Sequence, residues 1–272
     1  MDRSTPRALI GLLFTLMATQ LVAQNQDSIF QVRYATALEK LNAGAYRDAA
    51  TQLSQLIGNG YKNPDAYVNR GLAYYQLKDY EKAVSDFTEA EKAGGSTSKI
   101  NEYRGNAHYF LKNWSGAISD LEKLLSTGRS DVEIIQRIGT AKYSIKDYKG
   151  ATESLTRVVG RGVKDKDVFS MLGLSHAQLK DCPETVKALS AAVSMGASDK
   201  EVFVHLGNCQ YAAKDYAGTV ESLSRAIGLG VATPEVFLQR GNSLYAQQRM
   251  DDAAKDFEKV VSLGVKDADV FK

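Results

Sequence analysis

One spacing governs this chain. Gly71, Gly105, Gly139, Gly173, Gly207 and Gly241 stand 34 residues apart, and Ala37 takes the same phase one step earlier. A second series, Gly60, Gly94, Gly128, Gly162, Gly196, Gly230 and Gly264, keeps the same interval without a gap. Two registers of one period require an array of repeated supersecondary units rather than one large core. The period places 13 of the 22 glycines, so an ordinary glycine content becomes an architecture. Seven repeats follow, at 30–63, 64–97, 98–131, 132–165, 166–199, 200–233 and 234–267. Residues 268–272 read as the start of a truncated eighth, because VKDADVFK copies VKDKDVFS of 163–170.

Within the second repeat, Tyr67, Gly71, Tyr74 and Leu77 recur at spacings of three and four, which is one face of a helix. After LKDY, the residues Ala83, Val84, Phe87 and Ala90 form a second such face. Gly94 then suits a left-handed C-cap. Asn63, Thr97, Asp131, Asp165, Asp199, Thr233 and Asp267 precede the repeats that follow them, and all are residue types that accept orphan helix N–H groups. Each repeat is therefore a helix–turn–helix, and the array should hold fourteen helices and no strand. The series at Gly71 falls where two helices cross, a place that tolerates little beyond a hydrogen atom.

The pattern resembles the tetratricopeptide repeat family, of a secreted or periplasmic bacterial type. Tyr67, Gly71 and Tyr74 match its first helix, and Ala83 and Phe87 its second. Phe169, Phe203 and Phe237 hold the leading aromatic position, with Leu172 and Leu206 before the glycine. The turn aromatic recurs as Tyr46, Tyr80, Trp114, Tyr148 and Tyr216, and the crossing alanine as Ala49, Ala83, Ala117, Ala151 and Ala253. The family's closing proline is absent, its place taken by the glycine series. Thr185 and Thr219 replace the crossing alanine, from which looser packing is expected in the fifth and sixth repeats. The resemblance implies an all-α fold, a right-handed α-solenoid of seven 34-residue repeats. It also implies a concave groove lined by first helices, which would hold a protein or peptide partner. The groove-facing phases carry Tyr75, Tyr109, Tyr143, Tyr211 and Tyr245, with Asn106, Asn208 and Asn242 in the adjoining row. Tyrosine joins a broad apolar ring to a hydroxyl, which suits capture of extended peptides. The lysine of the family's carboxylate-clamp variant is missing, since its phase holds Val68, Glu102, Gln136, Ser170, Val204 and Leu238.

Residues 1–23, MDRSTPRALIGLLFTLMATQLVA, combine Arg3 and Arg7 with an apolar run ending at Ala23. This is the layout of a secretory signal peptide, with cleavage near Ala23 and a short segment, 24–29, before the repeats. The run is shorter than the roughly 20 residues of a spanning helix, so no membrane span is expected in the mature chain. Export to the periplasm or the outside follows. The 34 basic residues balance 32 acidic ones, which excludes a polybasic nucleic-acid binder.

Little reactive chemistry accompanies the repeats. His108 and His176 share the packing phase of Tyr74, His205 lies on another helix, and no two are paired at metal-ligand spacing. No phosphate loop or nucleophile elbow is present. No catalytic, metal or cofactor residues are expected. Cys182 takes the place of a turn aromatic, and Cys209 fills the small slot of Ala73 and Ala107. An oxidising compartment would permit a bridge, but their phases differ, which favours two buried thiols. The function expected is a non-catalytic interaction scaffold in the bacterial cell envelope. The alternative is the recruitment arm of a longer enzyme, or of an envelope assembly factor, whose other domain lies beyond Lys272.

Overall fold

The structure, a computed structural model, describes residues 5–265. Among them are fourteen α-helices and no strand, an all-α helical-repeat fold. The chain divides after Gly128 into two compact units. The first holds α1 (Thr5–Asn42), α2 (Tyr46–Gly58), α3 (Pro64–Gln76), α4 (Tyr80–Lys92), α5 (Thr97–Phe110) and α6 (Trp114–Ser126). The second holds α7 (Val132–Ser144), α8 (Tyr148–Gly160), α9 (Lys166–Gln178), α10 (Cys182–Ser194), α11 (Lys200–Ala212), α12 (Tyr216–Gly228), α13 (Pro234–Ala246) and α14 (Met250–Ser262). In each unit an odd-numbered helix packs most closely on the helix that follows it. Each pair then stacks on the next, and consecutive odd-numbered helices touch.

The glycine series behave as their spacing requires. All seven repeat-ending glycines have φ between +83° and +92°, backbone that a side chain resists. At the crossing series, a Cβ on Gly71 would lie 3.0 Å from the Phe87 ring, and one on Gly173 only 2.4 Å from Leu189. The crossing alanines are fully buried. Thr185 and Thr219 are fully buried too, each hydroxyl donating to the carbonyl of Asp181 or Asp215. The crossings at Gly173 and Gly207 are the closest of the series. The looser packing expected there is therefore not found: each threonine satisfies its polar atom within its own helix.

The caps are only partly those expected. Asn63 and Asp165 accept backbone N–H bonds at 2.8 Å. Asp131, Asp199 and Thr233 occupy the cap position without a side-chain bond to a helix N–H. The helix α5 includes Thr97, so Ser96 becomes its cap. Asp267 and the start of the eighth repeat lie outside the described residues.

More consistent capping occurs at the turn inside each repeat. Lys78, Lys112, Lys146, Lys180 and Lys214 all adopt φ near +60°, Gln248 does likewise, and Gly44 holds the phase in the first repeat. The next residue, Asp79, Asn113, Asp147, Asp181 or Asp215, caps the second helix through its side chain. The Lys-Asp dipeptide therefore acts as reversal and cap together.

At the N-terminus α1 runs unbroken from Thr5 to Asn42. No glycine or proline falls between Gly11 and Gly44, so nothing stops the helix at 24–29. Among the described residues no helix is long and apolar enough to cross a membrane.

A buried charged layer crosses several repeats. Arg70 donates to both carboxylate oxygens of Asp86, at 2.8 and 2.6 Å, and to Ser54 of the preceding repeat. Arg104 grips Asp120 in the same fork and adds Glu91 at 2.7 Å. Arg240 repeats the arrangement with Asp256 and Ser224. In the fourth to sixth repeats these slots hold Ile138 with Ser154, Leu172 with Ala188, and Leu206 with Ser222, all buried.

Candidate interaction surface

In the first unit a cleft of about 480 Å³ runs over α1, α3 and α5. Leu38, Leu41 and Leu72 form its apolar floor, Tyr103 a wall, and Gln76 and Lys99 polar edges. Helical spacing explains the grouping: Leu38 and Leu72 are one period apart, as are Asn69 and Tyr103. Adjacent first helices thus bring equal phases side by side. Asn69 also borders the cleft and donates to the Tyr34 hydroxyl at 2.7 Å, across the junction of the first two repeats. Burial raises the Tyr34 hydroxyl above its ordinary pKa, and the bond from Asn69 opposes that rise.

The groove residues expected from sequence take distinct places. In the first unit Tyr75, Tyr109 and Asn106 are not in the wall of this cleft. The Tyr75 ring meets Tyr80 and Tyr103 edge-on, at 5.5 and 5.3 Å between centroids. Tyr109 meets Trp114 in the same way at 5.5 Å, and Asn106 is buried. In the second unit Tyr143 leans on Tyr148, and Tyr211 on Tyr216. Each of these four tyrosines therefore packs on the turn aromatic of its own repeat, five residues on. Burial raises the Tyr143 hydroxyl pKa, with the nearby Glu201 charge adding to the effect. The Tyr211 hydroxyl accepts from Asn242 at 3.2 Å, a direct link between the two predicted rows. Asn208 is half-buried, with a shielded carbonyl oxygen that no protein group reaches. Tyr245 is 60% exposed.

Sequence reasoning missed Leu38, Leu72, Asn69 and Tyr103. A signal was available: Leu72 shares the phase of Asn106 and Asn242, so the asparagine row already pointed at the cleft.

The histidines serve packing. His108 Nδ1 lies 3.1 Å from Asn113 Nδ2, and His176 Nδ1 lies 3.2 Å from Asp181. Burial lowers the pKa of His108 and of His205. Among the described residues no group of three or more His, Cys, Asp or Glu could hold a metal ion.

One expectation is overturned. Cys182 and Cys209 are joined by a disulfide, with Cα atoms 5.0 Å apart. Their different phases do not separate them, because the start of a second helix lies against the middle of the next repeat's first helix. Tyr46 and Ala73 share one packed cluster, at the same offset of 27 residues.

Comparison with known proteins agrees with the architecture. Tetratricopeptide repeat models match residues 34–99 and 235–263. Among similar solved structures is MamA, at a TM-score of 0.53 and 21% identity, over 62% of this chain and 93% of that one. YrrB, described as a TPR protein with an unusual peptide-binding site, aligns at 0.52 and 17%, over 72% and 97%. The C-terminal part of a TPR repeat-containing protein from Cytophaga hutchinsonii aligns at 0.51 and 16%, over 88% and 98%. No curated protein matches the chain by sequence. The likeness to these structures is one of fold, and with the two matched segments it supports the tetratricopeptide assignment.

Proposed function

We propose that this protein is an exported, non-catalytic scaffold that holds a protein or peptide partner against its first helices in the bacterial cell envelope. The observation that carries the reading is the cleft over α1, α3 and α5. It sets an apolar floor of Leu38, Leu41 and Leu72 beneath amide and ammonium groups at the rim. An extended peptide presents alternating apolar side chains and backbone amides, and this surface offers a match to both. The fold is shared with YrrB, a TPR protein described as having an unusual peptide-binding site. The Cys182–Cys209 bond supports an oxidising location, in keeping with the signal-like leader.

Capture from an envelope extract tests the reading. The wild-type protein should recover a partner that Gln76→Glu/Lys99→Glu loses, since both side chains are exposed at the rim and their replacement leaves the core intact. Equal recovery by that variant, with loss on Tyr109→Ala/Tyr143→Ala, would move the site to the tyrosine row. Equal recovery by all three proteins would remove both surfaces. N-terminal sequencing of the exported protein should begin at Gln24, and a chain that keeps Met1 would argue against cleavage.

A further inference from the structure

We infer that the junction between the fifth and sixth repeats is a redox-dependent latch, closed by the Cys182–Cys209 bond and compliant when that bond is reduced. The argument rests on what occupies the same two phases elsewhere. In the first unit Tyr46 packs against the buried alanine cluster that contains Ala73. The equivalent positions hold Tyr80 and Ala107, Tyr148 and Ser175, and Tyr216 and Ser243. The small partner is fully buried in every case. A ring from one repeat is thus set opposite a small residue of the next. At the junction of α10 and α11 both partners change together: the ring becomes Cys182 and the small residue Cys209. A thiol fills far less space than a tyrosine ring, so two thiols alone would leave this junction with less apolar contact than its neighbours. The covalent bond replaces what the missing ring would supply.

Opening the latch requires a dithiol reductant. One of its thiolates attacks Cys182 Sγ, the half-buried and more accessible sulfur, and the S–S bond breaks with Cys209 leaving as thiolate. The second thiol of the reductant then closes on the first, releasing Cys182. The reductant leaves as a cyclic disulfide, two electrons pass to the protein, and two protons complete both cysteine thiols. Cys209 is 6% exposed, so direct attack on it is sterically disfavoured.

Hydrogen exchange on the full chain, with and without dithiothreitol, tests the latch. Reduction should speed exchange in α10 and α11 by roughly 10- to 100-fold, while α7, α8 and α14 change little. The variant Cys182→Tyr/Cys209→Ala restores the pairing of the other repeats, and its exchange should be slow and indifferent to reductant. Unchanged exchange in reduced wild-type α10 and α11 would overturn the inference. So would an equal rise across the whole second unit, or two free thiols in the unreduced, denatured protein. If the restored variant does not fold, the wild-type comparison alone decides.

Discussion

In the third repeat Arg104 reaches across to grip Asp120 in a two-pronged bond, whereas in the fifth the same positions hold Leu172 and Ala188. The backbone accepts either filling. Both members of the pair change together: Arg with Asp in the second, third and seventh repeats, an aliphatic residue with serine or alanine in the fourth to sixth, and Thr36 with Gln52 in the first. A buried guanidinium without its carboxylate, or the reverse, leaves an uncompensated charge, while two apolar groups leave nothing unsatisfied. The charged version also ties each repeat to the one before it, because Arg70 and Arg240 reach Ser54 and Ser224. In the second repeat burial raises the Asp86 pKa, against the pull of Arg70, so the layer carries a desolvation cost that the aliphatic repeats avoid.

The largest expected effect comes from splitting a pair. Asp120→Ala should destabilise the first unit by about 2–4 kcal/mol, since Arg104 stays buried and keeps only Glu91 as a carboxylate partner. Arg104→Leu/Asp120→Ala copies the fifth repeat and should recover to within about 1 kcal/mol of wild type. Urea denaturation followed by helical circular dichroism reads both, and a double variant as weak as the single one would end the equivalence of the two fillings.

Next in size is the helix crossing, which is closest in the fifth and sixth repeats. Gly173→Ala places its Cβ 2.4 Å from Leu189, against 3.0 Å from Phe87 for Gly71→Ala. The former should cost about 1–3 kcal/mol and the latter less. Gly173→Leu should cost at least as much as Gly173→Ala. Equal melting temperatures for the two alanine variants would show that the crossings relax alike.

Acidification draws on groups in both kinds of repeat. His108 and His205 have folded pKa values lowered by burial. Their contribution is complete above the unfolded value of 6.5 and falls as pH drops below it, because the unfolded chain then binds protons that the fold resists. Glu91 is lowered by its bond from Arg104, so its stabilisation is present above 4.5 and is lost as pH falls through the folded value. Melting temperature should decline first below 6.5 and again below 4.5. His205→Gln should flatten the first decline and Glu91→Gln the second. Slopes unchanged in both variants would mean that other groups carry the acid response.

The smallest effect concerns the left-handed turns. Gly162→Ala should lose about 1 kcal/mol at its φ of +84°, with no side-chain clash to add. Lys146→Gly relieves the same backbone conformation and should gain about 0.5 kcal/mol. A loss on Lys146→Gly would show that the lysine side chain stabilises its turn.

Most of the fold was legible because a repeat exposes itself by comparison of the chain with itself. The two glycine series placed the crossings and the ends of the second helices, and the apolar spacing placed the helices. The candidate surface was legible in part. The row of Asn106 and Asn242 runs in the phase of the cleft residue Leu72. The rings of Tyr75, Tyr109, Tyr143 and Tyr211 also pack on Tyr80, Trp114, Tyr148 and Tyr216, contacts that the period alone does not announce. The reason is local: residues five apart meet where a first helix turns into a second.

The sequence by itself determined the period, the seven repeats, the all-α class and the glycines that end each repeat. Those features depend on equal phases, and equal phases are visible in one dimension. The tertiary structure decided which unequal phases meet: Arg with Asp sixteen residues on, cysteine with cysteine twenty-seven on, Asn242 with Tyr211 thirty-one back. It also decided that α1 runs unbroken from Thr5 to Asn42 and that the chain divides after Gly128. Such pairings depend on how one helix is rotated and offset against the next, and side-chain packing sets that geometry without leaving a period in the sequence.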